Sequence, residues 1–203
     1  MSDNATRQTL LSLRVTVRPW QRGDTLAQEL WPRYTEPFSS LWNIPRALHY
    51  DDLIGRGWSS QRYVWAVEDR QRRLVGRISL REVERDGSGS RLGISLAQPY
   101  VGQGLGTEAL TLFMNHYFGP LAFQYLSLDV AAFNRRAVRC YERLGFVYQE
   151  SEWRSAGSDP SLRLLDDQRF TDMQRFFRRN RFETFVEFYE MILTRSNWME
   201  HHS

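Results

Sequence analysis

Lysine is missing from all 203 residues; the 27 basic side chains are every one arginine. That excludes Schiff-base chemistry on a lysine and any acetylation of the chain's own lysines. Guanidinium groups suit bidentate binding of phosphate and carboxylate, although a genome-wide codon bias explains the missing lysine equally well. Cysteine is nearly absent too. Cys140 stands alone, so neither an intramolecular disulfide nor an all-cysteine metal site can form. No apolar run approaches the roughly 20 residues that cross a bilayer, so no membrane partner is expected. Met1 to Leu13 holds neither a basic start followed by an apolar block nor a small-residue cleavage site, and a cytoplasmic location is the expectation. The net charge of +3 is too small for a nucleic-acid partner. Histidine offers no metal: His49 and His116 are isolated, and His201 and His202 sit at a terminus expected to fray.

What is present describes a packed globule, 41% hydrophobic and 14% aromatic, of a length that suits one domain over 1–203. Leu13, Val15 and Val17 alternate with polar neighbours as a first strand. Asp24 reads as the N-cap of a helix to Tyr34 with Leu26, Leu30 and Trp31 on one face. Pro37 to Pro45 is aromatic and irregular. A short helix follows over Arg46–Ile54, closed by Gly55 and Gly57. Tyr63–Glu68 and Arg73–Glu84 are strands joined by the turn Asp69–Arg72, and Arg91–Leu96 is a strand after the turn Asp86–Ser90. A glycine-rich loop leads into a helix to Phe118 with Leu110, Phe113, Met114 and Tyr117 on its apolar side. Tyr125–Ala131 is a strand, Arg135–Leu144 a helix, and Phe146–Trp153 and Phe182–Thr194 the last strands. The polar stretch Ser155–Arg181 between them reads as an insertion.

Two motifs carry the chemistry. The first is Gln98-Pro99-Tyr100-Val101-Gly102-Gln103-Gly104-Leu105-Gly106-Thr107-Glu108-Ala109-Leu110. Its glycines let the backbone turn tightly, and amide N–H groups at the start of a helix form an anion site suited to a pyrophosphate. Gly104-x-Gly106-x-x-Ala109 also matches a dinucleotide fingerprint, with Asp129 at the spacing of its ribose-binding acid. Ala97 to Gln103 separate it from its strand, however, and further strand–helix units are lacking. No Gly-Lys-Ser/Thr follows, so a Walker loop fails. The second motif is Asn134-x-x-Ala137-x-x-x-Tyr141-x-x-x-Gly145-Phe146, which sets Asn134 at a strand–helix junction and Tyr141 two turns on. Asn134 alone also reads as an N-cap, Tyr141 as a half-buried core aromatic, and Cys140 as a packing residue.

Together the motifs resemble the GNAT superfamily of N-acetyltransferases, from the Leu13 strand to the Thr194 strand. Pro-Tyr-x-Gly-Gln-Gly-Leu-x-Thr-Glu-Ala-Leu, with Arg14-Val15-Thr16-Val17-Arg18-Pro19-Trp20 and Asp24, is similar to the branch that acetylates N-termini of ribosomal proteins and various small amines. The resemblance implies a mixed α/β fold, a central, mostly antiparallel, V-splayed sheet flanked by helices. It implies acetyl-CoA as co-substrate and no metal. Backbone amides of Val101, Gly102, Gln103, Gly104, Leu105, Gly106 and Thr107 would hold the pyrophosphate, Ile94, Ser95 and Leu96 would pair with pantetheine, and Asn134 would touch the cofactor. Tyr141, beside the cofactor, would protonate the departing sulfur. An amine attacks a thioester directly, so no protein nucleophile is required; a backbone N–H can steady the oxyanion and a phenol the thiolate.

The pattern departs at Val101, where many members carry Arg or Gln, and at Arg91, where the branch often carries Glu, a suspected general base. Glu82 and Glu84 are substitutes. A lysine-type amine of pKa ~10.4 is only about 0.04% neutral at pH 7, whereas an α-amine near 7.8 is roughly 14% neutral; a missing base therefore tilts toward a peptide N-terminus or a water relay. Phe170 to Arg181 reads as a helix with one apolar face (Phe170, Met173, Phe176, Phe177) and one basic face. It is expected to wall the acceptor site and, through Arg178 and Arg179, to select acidic substrates; a solvated outer face or a homodimer contact stays open for it. Aromatics between Trp31 and Trp58 are expected on the acceptor side. The reading is an acetyl-CoA-dependent transferase acting on a primary amine, protein N-terminus or small molecule, in a ternary complex. Its rival is a non-catalytic CoA-binding or interaction module of the same fold.

Overall fold

A computed structural model describes residues 6–45, 58–59 and 62–202. The expected helix Arg46–Ile54, with Gly55, Gly57 and His49, lies outside them. In chain order the elements are β1 (Leu10–Leu11), β2 (Val15–Pro19), α1 (Arg22–Glu29), β3 (Trp58–Ser59), β4 (Tyr63–Asp69), β5 (Leu74–Arg81), β6 (Val83–Glu84) and β7 (Gly89–Leu96). There follow α2 (Leu105–Phe118), β8 (Tyr125–Ala131), α3 (Arg135–Arg143), β9 (Val147–Ser155), α4 (Thr171–Gln174), β10 (Phe177–Arg179), β11 (Thr184–Thr194) and α5 (Arg195–His202).

Among the described residues nine strands form one sheet in the order β1-β2-β4-β5-β7-β8-β11-β10, with β9 also on β11. Every pairing in it is antiparallel except β7 with β8. Residues 188–192 of β11 pair with β8 and β9 at once, so these two strands take opposite edges. β10 pairs with residues 184–186, where β9 already holds one edge, so β10 lies end to end with β8.

One face of the sheet carries α2. Its helical spacing brings Leu110, Phe113, Met114 and Tyr117 inward, all at most 1% exposed, and each such burial contributes about 1.5–3 kcal/mol. Phe113 meets Trp65 of β4 edge-on at 4.8 Å. α5 docks beside it: Trp198 is 1% exposed and its indole N–H donates to Asn115 Oδ1 at 3.1 Å. The terminus expected to fray is therefore helical and anchored.

Three other expectations are corrected. Leu13 is 76% exposed and precedes β2 in a turn closed by the Ser12 N–H on the Val15 carbonyl. Asp24 does not cap α1. Gln21 does, in a capping box whose third helical residue is Asp24. Arg18 grips the Asp24 carboxylate with two bonds of 2.7 and 2.8 Å, which makes Asp24 the buried residue of a helix that leaves Leu26 and Leu30 in solvent. Finally, Phe170–Arg181 is not one amphipathic helix. It holds the single turn α4 and then β10, because residues Phe177–Arg179 find partners in Thr184–Val186.

A second apolar cluster lies where β8 and β10 meet. Phe133 stacks on Phe177 at 5.5 Å, and Phe38 stands 5.4 Å from Phe177 and 6.1 Å from Phe133. This cluster ties the loop after α1, the end of β8 and the segment between β9 and β11 into one wall.

Candidate active site

β7 and β8 pair over only three positions, Gly89↔Tyr125, Ser90↔Leu126 and Arg91↔Ser127. β7 then runs on to Leu96 against β5, while β8 runs on to Ala131 against β11. The two strands diverge and the sheet opens. Ala97 N–H donates to the Val75 carbonyl, so alternation along the strand commits Ser95 to Arg77 and turns the N–H and C=O groups of Ile94 and Leu96 into the gap. Of the three residues expected to pair with pantetheine, Ser95 thus faces the wrong way. The Leu96 carbonyl accepts a hydrogen bond from the Tyr34 hydroxyl, a contact that nothing in the local sequence marks.

At the open end sits the glycine loop. Gly102 and Gly104 hold φ of 81° and 80°, left-handed values that side-chain-bearing residues resist. Gly104 is the N-cap of α2 and brings no side chain to it. Glu108 N–H makes the first intrahelical bond, to the Gly104 carbonyl; the N–H groups of Leu105, Gly106 and Thr107 have no such partner, and an anion fits there. A Cβ on Gly106 would stand 2.9 Å from Leu96 Cδ1, which is how the helix start comes down on the end of β7. Gln103 turns its side chain back to the Pro99 carbonyl at 2.7 Å. Arg14 braces the loop, donating to the Gln103 carbonyl at 3.0 Å and to Glu108 Oε2 at 2.6 Å. Outside it runs a groove of about 620 Å³ lined by Arg14, Gly104, Thr107, Thr111 and Arg143.

α3 closes the other side. Asn134 caps it, its Oδ1 accepting the Ala137 N–H at 3.3 Å. Cys140 Sγ lies 3.2 Å from Thr107 Oγ1, a packing contact that joins α3 to the first turn of α2 one residue before Tyr141. Tyr141 is half-buried, edge-on to Phe146 at 5.8 Å. Its hydroxyl has no hydrogen-bond partner among the described residues. Burial, followed by the charges of Cys140 and Asp129, pushes the phenol above its ordinary value. Such a group keeps its proton. The loop and the β7 edge border the opening, and α3, which carries Tyr141, is held against the first turn of α2 through Cys140 and Thr107.

The face of the sheet away from α2 explains Arg91. It is buried and binds Glu82 at 2.8 Å, Asp129 at 3.3 Å and Glu190 at 3.0 Å. Asp129 in turn accepts from Arg154 at 2.7 Å and Arg81 at 3.3 Å. Burial pushes the Asp129 carboxyl up, but Arg154, Arg91 and Arg81 outweigh it and hold it below the usual carboxylate range. Glu82 is therefore engaged, and Glu84 accepts the Tyr125 hydroxyl at 2.5 Å, so neither is an idle base. A cavity of about 340 Å³ borders this network, lined by Glu82, Glu84, Arg91, Glu150 and Glu190 among others. Arg179 is bound to Asp166 at 2.7 Å, and Arg178 lies over Trp153 at 3.8 Å. Among the described residues no three His, Cys, Asp or Glu side chains gather as a metal site, and no helix is long and apolar enough to cross a membrane.

A sheet parted between two parallel strands, with a glycine-capped helix start at the parting, leaves a gap with an anion site at its mouth. The chain belongs to the GNAT acetyltransferase domain family, whose model matches residues 14–147, and is an acetyl-CoA-dependent N-acetyltransferase acting on an amine. It is 30% identical to spermidine N(1)-acetyltransferase of Vibrio cholerae over 149 residues, 68% of this chain and 81% of that protein. It is 29% identical to the SPbeta prophage-derived uncharacterized N-acetyltransferase YokL of Bacillus subtilis over 74 residues, 36% of this chain and 42% of that protein. Among solved structures, the Vibrio cholerae spermidine N-acetyltransferase in complex with CoA and spermine superposes with a TM-score of 0.61 at 20% identity, covering 91% of this chain and 98% of that one.

Proposed function

We infer that the chain, a single acetyltransferase domain, moves acetyl from acetyl-CoA to a small primary amine bearing further positive charge, a polyamine in class, by direct attack in a ternary complex. The observation that carries this is the parting of β7 from β8 with the glycine-capped start of α2 at its mouth. Diphosphate on the N–H groups of Leu105 to Thr107 and pantetheine along Ile94 and Leu96 would bring the thioester into the gap. The amine nitrogen attacks the carbonyl carbon, the C–S bond breaks, and Tyr141 passes its proton to sulfur. The proton shed by the nitrogen returns through solvent to the phenolate. The carboxylate-lined cavity on the opposite face suits a polycation, and the Vibrio cholerae relative is named for spermidine.

The test is release of free CoA thiol from acetyl-CoA on adding spermidine, spermine, aminoglycosides or peptides with free N-termini. Turnover with the polyamines is expected. Turnover confined to peptides would transfer the assignment to N-terminal acetylation, and a silent panel would overturn the reading of the acceptor.

A further inference from the structure

The helix that carries the acid, α3, sits lightly on the fold. None of its residues is buried; Ala137, Val138, Cys140 and Tyr141 pack against the core only in part. Among the described residues two side-chain hydrogen bonds leave the helix. On its first turn Arg136 Nη1 donates to Glu36 Oε1 at 3.1 Å. The other lies next to the acid, where Cys140 Sγ and Thr107 Oγ1 stand 3.2 Å apart. The Tyr141 hydroxyl has no partner among the described residues and its ring rests edge-on against Phe146, so the position of the phenol follows that of the helix. Thr107 faces two ways. Its N–H belongs to the start of α2, where no intrahelical carbonyl takes it, while its hydroxyl reaches α3. A hydroxyl both donates and accepts. A diphosphate oxygen can therefore take the Thr107 O–H while the thiol donates to Oγ1, and the contact outlasts donor binding.

We propose that Thr107 and Cys140 are a positioning pair for Tyr141: their side-chain contact sets how far α3 stands from the first turn of α2, and with it where the phenol meets the departing sulfur. Neither side chain exchanges a proton with the reactants. The same threonine whose backbone faces the donor diphosphate thereby holds the helix that brings a proton to the donor sulfur. Placement counts heavily here, because an error of about 1 Å at a reacting group can cost on the order of a hundredfold in rate. The pair is one contact to a thiol, a weak hydrogen-bonding group, so its loss should cost less than loss of the phenol hydroxyl it places. The proposal rests on the reading of Tyr141 as general acid and adds what holds that acid in place.

Thiol release from acetyl-CoA, with the amine that turns over, tests it. Cys140→Ala should lower kcat about tenfold while the KM for acetyl-CoA stays within about twofold, in a protein whose melting curve reports it folded. Cys140→Ser, which restores a hydrogen-bonding group opposite Thr107, should recover most of the loss. In the Tyr141→Phe background Cys140→Ala should cost nothing further, since the group it positions is gone; a helix loosened as a whole would slow both backgrounds alike. Thr107→Val keeps the N–H and removes the hydroxyl; it should repeat the loss, and it takes the place of Cys140→Ala should that variant fail to fold. A kcat for Cys140→Ala within about twofold of the unsubstituted chain, or an equal fall in the Tyr141→Phe background, overturns the pair and leaves the acid standing. Tyr141→Phe without effect, or no thiol released with any amine, overturns the catalytic reading itself and the pair with it.

Discussion

Replacing Tyr141 by Phe deletes one hydroxyl that bonds to nothing among the described residues and leaves the ring against Phe146. Little stability should go with it: under about 0.5 kcal/mol, the scale of substitutions that break no contact, or about 1–2 °C in Tm for a chain of this size. Turnover is another matter. A positioned general acid contributes roughly 10²- to 10⁴-fold; at the lower end of that range the barrier rises by about 2.7 kcal/mol. Stopped-time thiol release should therefore show kcat down about a hundredfold with the KM for acetyl-CoA little changed and the melting curve almost superimposable. The pH profile adds a sign. Burial pushes the phenol above its ordinary value of about 10, and the protonated form is the active one, so Tyr141 should impose no loss of rate between pH 7 and that value. A kcat within twofold of the unsubstituted enzyme would remove Tyr141 from proton transfer. A fall in kcat matched by a large fall in Tm would make it a packing residue.

Gly104→Ala forces a side chain into a φ of 80°, and its Cβ would stand 3.2 Å from the movable tip of Arg14; a stability loss of about 1–2 kcal/mol and an acetyl-CoA affinity about tenfold weaker, close to 1.4 kcal/mol, should appear in melting and calorimetry. Arg91→Glu removes the hub and gathers a new carboxylate with Glu82, Asp129 and Glu190; breaking this buried network should cost about 3–5 kcal/mol, lowering Tm by roughly 10 °C. Asp129 sits below the usual carboxylate range, so its contribution is present above its unfolded value near 3.9 and fades as pH falls through the folded one. Asp129→Asn should therefore lower Tm at pH 7 and flatten its further decline toward pH 3, which scanning calorimetry at both pH values would check.

Much of the scaffold could be read from local pattern. Tyr125–Ala131 alternates cleanly and is a strand over that range, and the loop from Gly102 to the end of α2 is dictated by backbone freedom followed by helical spacing. Asp24 was misread because aspartate serves equally well at an N-cap and inside the first turn; the deciding partner, Arg18, lies on the preceding strand. The Phe170–Arg181 stretch has helical spacing, yet Phe177–Arg179 gains more by joining an edge of β11, a choice only tertiary pairing can make. The site divides in the same way. Backbone-made parts, the loop and the Leu96 edge, were visible. The Arg91 hub was not, because its three acids lie 9, 38 and 99 residues away.

Because the seam between β7 and β8 is three residues long, a pantetheine arm in the opening would behave as a short extra strand laid between them. Such a guest is read by the spacing of its amides. The chain would then recognise the carrier with peptide groups that every residue possesses, so the identities of Ile94 and Leu96 are free to change as long as their side chains still pack on the face of the sheet that carries α2. Selectivity among acyl carriers would thereby tolerate drift at the strand that touches them most, while a single backbone ester at Leu96 would be felt at once.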